Sequence, residues 1–318
     1  MLKDSLTEIM YVLIGIVCFY SVYVTMKDKK HPSRIPTALF WGILGLTFTF
    51  SRIGLVWGNK NIFINDTIVG YLVLIMAVLS ALKLVKFNTF SESSKEFKEK
   101  MANSIGNSIF LPALALAIVA FIVAQFWTKQ IGSLVALGIS ALVALILAVI
   151  ITKGKSSEMA EDSRRLLEVV GPVSILPQLL AALGSVFSVA GVGDVIANGI
   201  KTVIPQGNIF LGVIAYCVGM AVFTMIMGNG FAAFAVITAG IGVPFVFAQG
   251  ADPAIASALA LTAGFCGTLL TPMAANFNIV PTAILEIEDR KNGLIKYQAP
   301  VAILLLIIHI ILMYFWAF

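Results

Sequence analysis

Apolar residues fill this chain in long blocks separated by short polar connections. The blocks fall at roughly 7–26, 36–57, 66–86, 105–127 and 131–152, and then less regularly at 166–200, 208–248, 252–287 and 297–317. A helix needs about 20 apolar residues to cross a hydrocarbon core about 30 Å thick. The pattern therefore predicts an all-α polytopic membrane protein. N-terminal membrane helices occupy 1–155. A C-terminal half with interrupted helices occupies 156–318, and the two are expected to form one integral membrane unit.

The connections set the topology. Lys and Arg gather at Lys27–Arg34, Lys83–Lys100, Lys153–Arg165 and Arg290–Lys296. Those around Asn59–Asp66, Thr128–Gln130 and Gln249–Pro253 are poor in basic residues. Basic connections stay in the cytoplasm, so block 208–248 must begin and end outside. Its arms meet at Gly228-Asn229-Gly230 with no charged loop between them. Two forms remain open there: a re-entrant hairpin, or two full spans joined by a tight cytoplasmic turn. Block 252–287 is too long for one continuous crossing. It is expected to break at Thr271-Pro272, because proline removes a backbone donor and clashes with the preceding turn. The expected fold is about eight transmembrane spans plus one re-entrant helical hairpin, with both termini outside and discontinuous helices in the C-terminal half.

Composition narrows the class. The chain of 318 residues is 59% hydrophobic and 12% charged, against about 25% charged in a soluble domain. Its mean hydropathy is +1.00. The net charge of +5 resides in the connections and implies no nucleic-acid partner. Cys18, Cys217 and Cys266 lie in apolar runs without CxxC spacing, so neither metal nor disulfide is expected. No Walker motif is present, which argues against ATP hydrolysis. The polar stretch 88–103 is read as a solvated connection. Arg52 is read as snorkelling to the interface, and His31 and His309 have no metal-ligand companions.

Three constellations could carry chemistry. The first is the run from Gly184 through Ser185, Ser188, Gly191 and Gly193 to Asp194, whose small residues either permit close helix packing or mark an unwound helix. Ser188 is a candidate substrate ligand. Asp194 is a candidate ion-coupling residue, since an ionisable group at membrane depth is functional by default; the alternative is a surface helix cap. The second is the tip Gly228, Asn229 and Gly230, where free N–H groups of the following helix would face a carboxylate. The third is the broken helix with Thr268, Thr271 and Asn276, supported by Asn278. Hydroxyls, amides and open helix ends suit a small, polar, singly charged solute. Paired breaks of this kind are the sequence mark of a transporter site. The strings Gly191–Asp194 (GVGD) and Pro112–Leu114 (PAL) match motifs of intramembrane aspartyl proteases, but no second aspartate lies within a preceding span, so an enzyme is not expected.

From residue 165 onward the order LGSVFSVAGVGDVIANGI, MGNGFAAFAVITAG and ALTAGFCGTLLTPMAANFNIVPT resembles the C-terminal half of gluconate permease-like carriers, members of the ion-transporter superfamily. That resemblance implies that Gly228, Asn229, Gly230, Thr268, Thr271 and Asn276 form half of a substrate site. Gly230-Phe231 replaces the usual Ser or Thr beside the tip. Over its whole length, and through GNSIFLPALALA, GVGDVIANGI and CGTLLTPMAANFNIVPTA, the chain resembles a bacterial permease family formerly of unknown function. Its members are identified as one subunit of a two-component 5-oxoproline (pyroglutamate) transporter, beside a smaller membrane protein. The resemblance implies secondary transport of a small organic acid in the bacterial cytoplasmic membrane, with no cofactor beyond Na+ or H+ as coupling ion. A complete homodimeric carrier and a non-transporting scaffold subunit are the alternatives.

Overall fold

The computed structural model describes residues 2–50, 65–86, 95–154, 156–205, 207–285, 287, 289 and 292–318. Among them there are helices and turns and no strand. Arg52 and residues 88–94 of the polar connection lie outside the described residues.

The chain divides into two compact units, Met1–Glu168 and Val169–Phe318. The first unit contains α1 (Leu2–Lys27), α2 (Arg34–Phe50), α3 (Asp66–Ala81), α4 (Lys95–Ile105), α5 (Leu111–Ile131) and α6 (Ser133–Thr152), and most of α7 (Ser156–Ser174). Helix α1 packs on α2, and α5 on α6. A 3₁₀ turn over Gly106–Phe110 joins α4 to α5, making one continuous helical run from Glu99 to Ile131 whose apolar part lies in α5 and of which no residue is buried. Large side chains such as Phe121 and Phe126 stand exposed on α5, as expected of a helix whose solvent is lipid.

The basic connection Lys153–Arg165 is largely helical in α7. There Arg164 donates from Nε to Glu168 Oε1 at 2.8 Å and from Nη2 to Asp28 Oδ2 at 3.1 Å. The Glu168 side chain is almost wholly buried. Burial by itself lowers the Arg164 pKa, but the bonds to Asp28 and Glu168 and their charges outweigh it and hold the pKa above its usual value. This cation ties the first turn of chain beyond α1 to α7.

The second unit contains α8 (Leu176–Val189), α9 (Val192–Val203), α10 (Ile209–Met227), α11 (Gly230–Ile237), α12 (Pro253–Leu269), α13 (Val280–Ile284) and α14 (Gly293–Trp316). Helix α11 continues through a π turn (Thr238–Gly242) and short turns as far as Gln249. A second π turn, Ala275–Ile279, leads into α13. The unit's core gathers Val213, Tyr216, Cys217 and Met220 of α10, Ala233 and Ile237 of α11, Ala256, Ala260 and Ala263 of α12, and Met313 of α14. Alanines on α12 let α10 come close, so this is packing by small side chains in place of large ones.

Among the described residues six helices are long and apolar enough to cross a membrane, or seven if the bent pair α8–α9 counts as one. Arg34–Phe50, Asp66–Ala81 and Pro253–Leu269 are shorter apolar helices. The protein is thus an all-helical, multi-pass membrane protein.

Candidate functional site

Three helical paths in the second unit are interrupted, each for a local reason. Between α10 and α11 the break is Gly228-Asn229. Gly228 has φ +67 and its N–H closes α10 on the Thr224 carbonyl at 2.7 Å. A Cβ at this position would lie 2.7 Å from the Met273 carbonyl oxygen, so both backbone angle and space demand glycine. Asn229 then caps α11: its Oδ1 accepts from the N–H of Phe231 at 2.9 Å and of Ala232 at 3.2 Å. Those N–H groups are the ones expected to meet a carboxylate. They are taken by the asparagine, which leaves its own Nδ2 as the side-chain donor at the tip.

The second break follows α12 at Leu270–Ala274, around Thr271-Pro272. Thr271 is buried, and its hydroxyl donates to the Met225 carbonyl at 2.9 Å while accepting from the Met273 N–H at 3.3 Å. Thr268, also buried, donates to the Phe265 carbonyl at 2.6 Å. Asn278 spans the gap: Nδ2 donates to the carbonyls of Thr268 at 2.9 Å and Thr271 at 2.6 Å. The two carbonyls left open by the interrupted helix are thereby satisfied. Thr282 in turn donates to the Asn278 carbonyl.

The third break separates α8 from α9. Gly191 has φ +72, and the two helices are bent by 65° there. The glycine-rich run thus marks a true bend. It also packs closely, since a Cβ on Gly184 would lie 2.9 Å from the Ala232 Cα.

The first two breaks meet. The tip Gly228 sits against Met273, Gly230 lies 3.3 Å (from a Cβ built on it) from the Phe265 ring, and Thr271 is bonded to the last turn of α10. Phe265 stacks edge-on with Phe231, centroids 6.1 Å apart. Ser188 lies on α8 beside the first turns of α11, next to this meeting point and not in it. With Gly184 and Ser185 it faces Phe231, Ala232 and Ala235 across a cavity of about 360 Å³. Asn276 lies in the π turn Ala275–Ile279. Asp194 stands apart from the tip. It is exposed on the first turn of α9, whose cap position is Gly191, and its neighbour Gly193 packs on Val236 and Gly240 further along the arm.

The sequence reading gave Asn278 only a supporting place and did not single out Thr224 at all. Thr224 is fully buried on the last turn of α10, and its Oγ1 has no hydrogen-bond partner among the described residues; the same holds for Asn278 Oδ1. Nothing in the sequence marks Thr224, because its burial comes from helix packing. No cluster of three or more His, Cys, Asp or Glu that could hold a metal occurs among the described residues.

Interrupted helices meeting at a glycine tip inside an apolar bundle define a polytopic membrane protein with a polar centre. The chain belongs to a family described as Protein of unknown function (DUF979), whose model matches residues 8–318. No curated protein and no solved structure matches it.

Proposed function

We propose that the protein is a secondary transporter of a small organic anion, 5-oxoproline as the first candidate, working as one subunit of a two-part permease in the bacterial cytoplasmic membrane. The observation that carries this reading is the meeting of the Gly228–Gly230 tip with the break at Leu270–Ala274. Irregular backbone at membrane depth survives only where protein buries it or water wets it. Tips and broken helices of this kind are where carriers hold their solutes.

In this reading Asn229 Nδ2 and the Ser188 hydroxyl bind the anion, and Asn276, whose side chain lies outside the described residues, is a further ligand expected from the sequence. Gly228 and Gly230 bring the backbone close. Thr268 and Thr271 hold the broken helix in position through the bonds described above. Asp194 couples Na+ or H+. The two arms, Ile209–Met227 and Gly230–Gln249, are each long enough to span, and about eight spans with the arms as a hairpin is the topology proposed.

The test is uptake of labelled 5-oxoproline into cells lacking their own route. The chain would be expressed alone, the smaller subunit proposed as its partner alone, and both together. Uptake only with both supports a split carrier, and uptake by this chain alone points to a homodimeric one. No uptake in any combination, with every protein verified in the membrane, removes the substrate.

A further inference from the structure

Helix α9 carries its polar residues on one face. Asp194, Asn198 and Lys201 lie at i, i+4 and i+7 and are all exposed. Ile196 and Ile200, on the opposite face, pack against the core, and Ile204 just beyond the helix is buried in it. Charge at the two ends suits the helix dipole, Asp194 in the first turn and Lys201 in the last. The dipole does not explain Asn198, nor why all three residues share a face.

The depth of this face follows from its neighbours. Gly193 packs on Val236 and on Gly240, where a Cβ would lie 2.6 Å from the Gly193 carbonyl oxygen. Gly240 is half-way along the arm Gly230–Gln249, itself long enough to cross a membrane. At the other end Ile204 is buried in the core shortly before α10 begins at Ile209, and a Cβ on Gly212 in the first turn of α10 would press on the Phe245 carbonyl oxygen, near the end of that arm. Helix α9 therefore runs from mid-depth to one membrane face, and its 12 residues cover about 18 Å, somewhat more than half of a membrane-crossing arm. Polar and charged groups at such depth face water or protein, because facing lipid is costly.

We infer that the stripe Asp194–Asn198–Lys201 lines a water-filled vestibule that opens at the Ile204 end of α9 and reaches mid-depth at Asp194. Lys201 stands at its mouth and draws anions in. The anion part rests on the transport reading above; the water-filled vestibule does not.

The test is labelling of single substitutions, Asp194→Cys, Asn198→Cys, Lys201→Cys and Ile200→Cys, in the full chain in intact cells with its partner present. The native Cys18, Cys217 and Cys266 are all buried, so background is low. A small membrane-impermeant methanethiosulfonate should modify the first three and leave Ile200→Cys unmodified. A bulky polyethylene-glycol maleimide should modify Lys201→Cys alone. Failure of the small reagent at Asn198→Cys and Asp194→Cys from either side of the membrane would overturn the vestibule. So would equal reaction of the bulky reagent at all three positions, which would make the stripe an open surface. If 5-oxoproline does not slow labelling, and Lys201→Glu does not raise the concentration needed for half-maximal uptake, the solute assignment fails while the labelling pattern still supports the vestibule.

Discussion

The hydroxyl of Thr271 donates to the backbone carbonyl of Met225 at 2.9 Å, across 46 positions of sequence. One side chain at the interruption after α12 thus satisfies a carbonyl in the last turn of α10, one of the groups a helix end leaves open. The tip and the broken helix are fastened together by this bond. Thr271→Val keeps the shape and removes the donor. It is expected to cost about 1 kcal/mol, because a part-buried carbonyl loses its partner, and to abolish uptake. Thr271→Ser should restore both, read as thermal unfolding in detergent and as uptake in cells. Normal uptake by the valine variant would remove the fastening from the mechanism.

Asn229 has two roles that can be separated. Asn229→Leu loses the cap on α11, worth about 1 kcal/mol, together with the Nδ2 donor, and should lose uptake while the protein remains in the membrane. Asn229→Asp retains an oxygen for the N–H groups of Phe231 and Ala232 but replaces the donor with negative charge. Its melting temperature should stay near that of the parent and its uptake should fall as far as in the leucine variant. An aspartate variant that transports normally would show that the cap is all that Asn229 provides.

Gly228→Ala should be destabilising whatever the solute. A non-glycine residue in the left-handed region costs about 1–2 kcal/mol, and the added methyl would press on the Met273 carbonyl. Gly199→Ala, in a helix where a Cβ meets nothing within 4 Å, should be neutral or stabilising. Circular dichroism melting of the two variants side by side checks the difference.

In the first unit, Arg164→Ala removes the cation that joins Asp28 to the nearly buried Glu168. Loss of a partner to a buried charge should cost at least about 1–3 kcal/mol. Arg164→Lys should recover only part of it, because one ammonium does not reproduce the two-armed geometry. The readout is thermal unfolding of the purified chain, with cleavage by added protease near Asp28 as a local measure.

The breaks were legible where one residue type forces the backbone. Pro272 and the Gly228–Gly230 triplet announced their interruptions, since ring and missing Cβ act on the chain locally. Gly191 was half legible: its run allowed close packing or unwinding, and the fold uses both. Partners remote in sequence were not legible. Nothing in the string joins Arg164 to Asp28, Thr271 to Met225, or Asn278 to the Thr268 carbonyl, because each pairing depends on how helices come together. The N–H groups of Phe231 and Ala232, expected to be free, are both taken by Asn229, a competition that helix capping alone decides. The count of spans was blurred by length: Arg34–Phe50, Asp66–Ala81 and Pro253–Leu269 are apolar but short, and hydropathy does not say how deep a short helix reaches.

The amide of Asn278 holds two carbonyls of the opened helix at once. A gap closed by its own chain needs no guest to keep it from collapsing. The segment of backbone between Leu269 and Ala275 is therefore braced from within: the pieces on either side should move together as one body, and the segment itself should exchange its amide hydrogens no faster when the solute leaves.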